Sequence, residues 1–74
     1  MKVTVYSKPA CPQCDATKRY LSTKGIEFDV VDVSKDETAR NLVTGMGYRQ
    51  APVVIAGDNH WAGFRPEMIN ALAA

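Results

Sequence analysis

The chain has 74 residues, a formal net charge of +1 from nine Lys and Arg against eight Asp and Glu, and 46% hydrophobic residues. Domains usually run to ~100 residues or more, so there is room for one, with a small core that buries about 60–65% of the unfolded surface. The hydrophobic content argues against disorder, the balanced charge gives no electrostatic reason to expect nucleic acid or a membrane surface as partner, and two cysteines are too few for a disulfide-stapled scaffold.

Met1 to Tyr6 alternates instead of running apolar, so no leader peptide is expected. The longest apolar stretch, Ala51 to Ala56, falls far short of the ~20 residues of a membrane helix. The expectation is a cytoplasmic protein, and in that compartment cysteine pairs are more often catalytic or metal-binding than structural.

Lys2 to Ser7 sets Val3 and Val5 on one face and Thr4 and Tyr6 on the other, the period of a strand. Lys8-Pro9-Ala10 breaks it. Pro12 suits the first position of a helix over about Pro12 to Lys24, with Ala16, Tyr20 and Leu21 at helical spacing and Gly25 as a left-handed cap. Ile26 to Val33, rich in β-branched and aromatic residues, reads as a second strand. Ser34-Lys35-Asp36-Glu37 matches the capping box S-x-x-E and predicts a second helix starting there, with Ala39, Leu42, Val43 and Met46 as its apolar stripe and Gly45 and Gly47 at its end. Val53-Val54-Ile55 is continuously apolar, as in a strand covered on both faces. Gly57-Asp58-Asn59 marks a turn, His60 to Ala62 a short returning strand, and Phe64-Arg65-Pro66 the start of a last helix that buries Met68, Ile69 and Leu72. The order β-α-β-α-β-β-α predicts an α/β fold: a mixed four-stranded sheet flanked on both faces by three helices, with a parallel first β-α-β.

Cys11-Pro12-Gln13-Cys14 is the main chemical signal. With Pro12 at the first helical position, Cys11 falls at the helix N-cap and Cys14 about one turn in. Free N–H groups and the positive end of the helix dipole stabilise an anion at Cys11, and a thiolate is the nucleophile of disulfide exchange. Lys8 is a candidate for added positive charge. Cys11 is therefore expected to attack a partner disulfide and Cys14 to resolve the mixed disulfide. Half of a zinc site is the competing reading, but structural zinc takes four ligands and the only other good one is His60, read as a surface strand residue. A metal shared between two chains stays open. No resident metal or cofactor is expected beyond the cysteine pair itself.

Two further segments stand out. Pro52, in Ala51-Pro52-Val53, removes a ladder donor and so suits the start of a strand, with a trans bond on bare statistics. In His60-Trp61-Ala62-Gly63-Phe64-Arg65-Pro66, Trp61 and Phe64 read most simply as completing the core, with Arg65 paired to an acid.

The chain resembles the glutaredoxin-like proteins of the thioredoxin superfamily, and among them most the NrdH-redoxins. The resemblance rests on Cys11-Pro12-Gln13-Cys14, Phe28, Gly47-Tyr48-Arg49-Gln50-Ala51-Pro52-Val53-Val54 and Trp61-Ala62-Gly63-Phe64-Arg65-Pro66. It implies a thioredoxin/glutaredoxin fold over residues 1–74 as one domain. It also implies a cis Pro52 facing the active site, with the backbone at Ala51 able to pair with an incoming peptide, and a dithiol–disulfide oxidoreductase. The implied partners are a class Ib ribonucleotide reductase large subunit as target and NADPH-dependent thioredoxin reductase as the source of electrons, to a monomeric protein. Glutaredoxins carry a Gly-Gly turn and an acidic residue that hold glutathione. Ala62-Gly63-Phe64-Arg65-Pro66 stands there instead, and Trp61, Phe64 and Arg65 become candidates for docking the reductase. Ala62 replaces the usual Ser of the family turn, and Pro12 is more glutaredoxin-like than the aliphatic residue or Met of many members. The alternatives are a glutathione-dependent glutaredoxin and a non-catalytic binding module of the same fold with a shared metal.

Overall fold

The computed structural model describes residues 2–73. Its elements run β1 (Val3–Ser7), α1 (Pro12–Thr23), β2 (Asp29–Asp32), α2 (Glu37–Gly45), β3 (Val53–Ala56), β4 (Asn59–Ala62) and α3 (Pro66–Ala73), the expected order. The strands form one sheet in the order β2-β1-β3-β4. β1 and β2 are parallel, with Thr4 opposite Asp29. β3 is antiparallel to both of its neighbours, with Val54 opposite Val5 on one side and Trp61 on the other.

Strand alternation sorts the two faces. Val3, Val5, Val54, Ala56 and Trp61 point to one face and join Leu21 of α1 and Ile69 of α3 in a single buried cluster, with Tyr20, Phe28, Phe64 and Leu72 packed against it. Burying each large aliphatic side chain there contributes roughly 1.5–3 kcal/mol. On the opposite face, Tyr6 of β1 and Val53 of β3 line a small cavity together with Arg40, Val43 and Thr44 of α2, so α2 covers that side. Among the described residues no helix is long and apolar enough to cross a membrane.

The ends of α1 follow from its sequence. Pro12 occupies the first helical position and Cys11 is the N-cap in extended conformation. At the other end Gly25 adopts φ +73°, and its N–H and that of Ile26 donate to the carbonyls of Ser22 and Leu21, the paired bonds of a Schellman cap. Gly47, at φ +94°, closes α2 in the same way through Thr44 and Val43.

Four expectations are corrected. The N-cap of α2 is Asp36, whose carboxylate accepts the Ala39 N–H at 2.9 Å, and the helix starts at Glu37. Ser34 turns back instead: its hydroxyl and its N–H both donate to Asp32 Oδ1, so the capping-box pattern there is occupied by a local turn. β2 spans only Asp29–Asp32, because the Ile26 N–H is already committed to the end of α1 and an open groove separates Ile26, Glu27 and Phe28 from Lys2 and Val3. The buried side of α1 is Cys14, Thr17 and Leu21, with Ala16 and Tyr20 only half-buried. Thr17 tolerates full burial because its hydroxyl donates to the Gln13 carbonyl. In α2, Ala39 and Val43 are buried, whereas Leu42 is 48% exposed.

Candidate active site

The site forms where β1 hands the chain to α1. Lys8-Pro9-Ala10 crosses from strand to helix, and Ala10 takes a left-handed φ of +55° to set Cys11 at the cap. Cys11 Sγ accepts the Cys14 N–H at 3.1 Å. Sulfur therefore takes the place that a Ser, Asp or Asn oxygen fills at an ordinary N-cap, satisfying one of the free N–H groups of the first turn. Cys11 and Cys14 are bridged as a disulfide, with Cα atoms 5.2 Å apart. Cys11 is 7% exposed and Cys14 1%, so an incoming group meets Cys11 first. Pro12 and Gln13 lie exposed between them.

Two other segments converge on this turn. The Ala51–Pro52 peptide bond is cis, and Pro52 is fully buried. Its carbonyl accepts the Gly63 N–H at 2.8 Å. Gln13 Oε1 in turn accepts the Phe64 N–H at 3.3 Å. The segment from Trp61 to Pro66 is thus fastened to the proline loop by a backbone bond and to the cysteine motif by the Gln13 side chain. Gly63 has φ +84°, and a Cβ there would stand 3.4 Å from Gln13 Oε1, so glycine suits both the conformation and the close approach.

Phe64 is half-buried and meets Tyr20 edge-on, with ring centroids 5.8 Å apart. Arg65 is exposed and pairs with Glu67, and that guanidinium holds the Glu67 carboxyl below its ordinary range. Trp61 completes the core, as its simplest sequence reading has it, and offers little surface as a docking residue. It is 4% exposed and part of the core, which leaves Phe64 and Arg65 as the accessible members of the trio. Lys8 is exposed and lines the cavity over α2, together with Ala51.

Three features went unremarked in the sequence. The left-handed Ala10 carries no glycine to announce it. Tyr48 Oη and His60 Nδ1 lie 2.6 Å apart, tying the proline loop to β4. Arg40 and Arg49 share the cavity with Lys8. Arg49 belongs to a motif already singled out, whereas Arg40 falls on a polar helix face that periodicity does not distinguish.

The glutaredoxin family model matches residues 3–61. The glutaredoxin-like protein NrdH of Escherichia coli is 46% identical over 72 residues, covering 97% of this chain and 89% of that protein. The chain belongs to the glutaredoxin family, among the NrdH-redoxins. The NrdH protein of Lactococcus lactis subsp. lactis is 41% identical over 71 residues, covering 96% and 99% of the two chains. The solved structure of E. coli NrdH-redoxin, a glutaredoxin-like protein with a thioredoxin-like activity profile, superposes with a TM-score of 0.95 at 46% identity over 97% and 95% of the two chains. The chemistry of this family member is thiol–disulfide oxidoreduction, carried by the cysteine pair spaced C-x-x-C.

Proposed function

We propose that this chain, acting as one cytoplasmic domain, is a dithiol electron carrier. Cys11, held as a thiolate by the helix N-terminus and the Cys14 N–H, attacks one sulfur of a target disulfide. The target S–S bond breaks, a mixed disulfide forms at Cys11, and the second target sulfur leaves as thiolate and takes a proton. Cys14 then gives up its proton and attacks Cys11 Sγ, expelling the first target sulfur. The target gains two electrons and two protons, and Cys11–Cys14 ends oxidised. Lys8, Pro12 and Gln13 border the reacting sulfurs, and the Ala51 backbone beside Pro52 pairs with the target strand.

The proposed source of electrons is NADPH-dependent thioredoxin reductase, and the proposed target is the oxidised cysteine pair of a class Ib ribonucleotide reductase large subunit. The observation that carries this reading is the loop at Gly63, Phe64 and Arg65. Where glutaredoxins present an acidic residue to glutathione, Phe64 packs on Tyr20 and Arg65 stands paired with Glu67. The thioredoxin-like activity profile of the E. coli relative points the same way. Phe64 and Arg65 are the proposed contacts to the reductase.

The test is NADPH consumption during reduction of a disulfide substrate, with thioredoxin reductase in one cuvette and glutathione plus glutathione reductase in the other. Turnover is expected only with thioredoxin reductase, and Phe64→Ala is expected to raise the KM for that enzyme. Turnover only with glutathione assigns the protein to the glutathione-dependent glutaredoxins.

A further inference from the structure

The backbone that leads into Pro52 is held from outside the cysteine site. Arg49, Gln50 and Ala51 carry the chain to that proline, with Arg49 and Gln50 exposed and Ala51 half-buried. Among the described residues, no backbone–backbone hydrogen bond holds these three. A segment without such bonds samples many shapes, and a partner that binds one of them must overcome the entropy of selecting it. The two ends of the segment are fastened, and both fastenings land on β4 or on the turn after it. At Pro52 the carbonyl accepts the Gly63 N–H at 2.8 Å. At Tyr48 the phenol Oη lies 2.6 Å from His60 Nδ1, and the two rings meet edge-on with centroids 5.6 Å apart. Tyr48 is itself seated on the end of α2, where its N–H donates to the Val43 carbonyl at 3.1 Å. His60 stands opposite Ile55 in the register of β3 and β4, so the sheet fixes its backbone. The ring contact therefore ties the α2 end of the loop to a strand. It does so in either protonation state of the imidazole: a neutral Nδ1 accepts the phenol proton, and a protonated one donates to the phenol oxygen.

We propose that His60 is a positioning residue for polypeptide targets: through Tyr48 it holds the Arg49-Gln50-Ala51 backbone ready for strand pairing, and so favours disulfides carried on a polypeptide over small free ones. This rests on the dithiol-carrier reading above, in which the Ala51 backbone pairs with the target, and adds the residues that preorganise that pairing. A target that meets a segment already in shape avoids the ordering entropy that a loose one loses on binding. A small disulfide reaches Cys11 without pairing to any strand, so the brace does nothing for it. The resulting advantage for a polypeptide is about fivefold in rate, equal to ~1 kcal/mol, the scale of one net hydrogen bond.

The experiment follows the pre-reduced protein in single turnover, so that no reductase enters. One substrate is an extended disulfide-linked peptide and the other is hydroxyethyl disulfide. Tyr48→Phe, which removes only the hydroxyl, and His60→Ala are each expected to slow the peptide reaction about fivefold and to leave the rate with hydroxyethyl disulfide unchanged. That unchanged rate also shows that the variants keep their fold and their thiols. The double variant is expected to be no slower than either single one, as for two partners of one contact. His60→Asn, whose amide oxygen takes the place of Nδ1, is expected to recover most of the loss. Equal slowing of both substrates overturns the proposal by making the pair a support of the fold alone. Unchanged peptide rates, or losses that add in the double variant, overturn it by separating the contact from target pairing. In each of these cases the carrier reading stands. A parent protein that reduces neither substrate overturns both.

Discussion

Ala10 is the residue on which the placement of Cys11 turns. Its φ of +55° puts an L side chain in the left-handed region, which costs roughly 1–2 kcal/mol. Glycine relieves that cost but brings back about 0.4–1 kcal/mol of unfolded-chain entropy. Ala10→Gly is therefore expected to stabilise by about 0.5–1 kcal/mol, and Ala10→Val to destabilise, as read from urea midpoints. A second residue-scale feature is the acid response of Asp32. The Ser34 hydroxyl and N–H bonds hold its carboxyl below the ordinary value of 3.8. A depressed carboxylate contributes stability above its unfolded pKa, and that contribution is lost as pH falls through the folded one. Asp32→Ala is expected to lower the urea midpoint near neutrality, and the gap to the parent is expected to close below the ordinary value of 3.8.

At the scale of elements, α2 separates two candidate caps. Asp36 makes the capping bond and Ser34 does not, so Asp36→Ala is expected to cost about 1 kcal/mol. Ser34→Ala acts only through the exposed turn and through Asp32, and denaturation of the two variants side by side distinguishes the roles. The same contrast explains what could be read in advance. Pro12, the Cys11–Cys14 spacing and the glycines after α1 and α2 act through local backbone rules, so the cysteine site and both helix ends were legible. Ser34 satisfied an equally local pattern, but the competing carboxylate of Asp32 took its hydrogen bonds. The start of β2 depended on where the Ile26 N–H was spent, a matter of the neighbouring helix and not of strand propensity. Trp61 exposed the limit for side chains. Strand register places it opposite Val54, and nothing in its own neighbourhood of residues distinguishes a buried ring from a docking one. The basic cavity combines residues 8, 40 and 49 from three separate segments, and only the crossing of β1, α2 and the proline loop brings them together.

For the molecule as a whole, a small core makes every large side chain consequential. Leu21 is fully buried in the cluster beneath α1 and α3. Leu21→Ala is expected to cost about 2–5 kcal/mol, out of a total on the order of 4–11 kcal/mol for a chain of 74 residues. Calorimetry should record a fall in Tm of about 10 °C or more, while Leu42→Ala, at a position already 48% exposed, should change stability by only about 0.5 kcal/mol. The bonds that the Phe64 N–H donates to Gln13 Oε1 and the Gly63 N–H to the Pro52 carbonyl have a consequence on the timescale of descent. The dipeptide Pro12-Gln13 between the cysteines borders the redox-active sulfurs. Here one half of that dipeptide also anchors the Phe64 turn, the surface proposed above for docking the reductase. A lineage that replaces Gln13 loosens, in the same step, the turn that carries Phe64, so a change made between the cysteines is also felt on that neighbouring face.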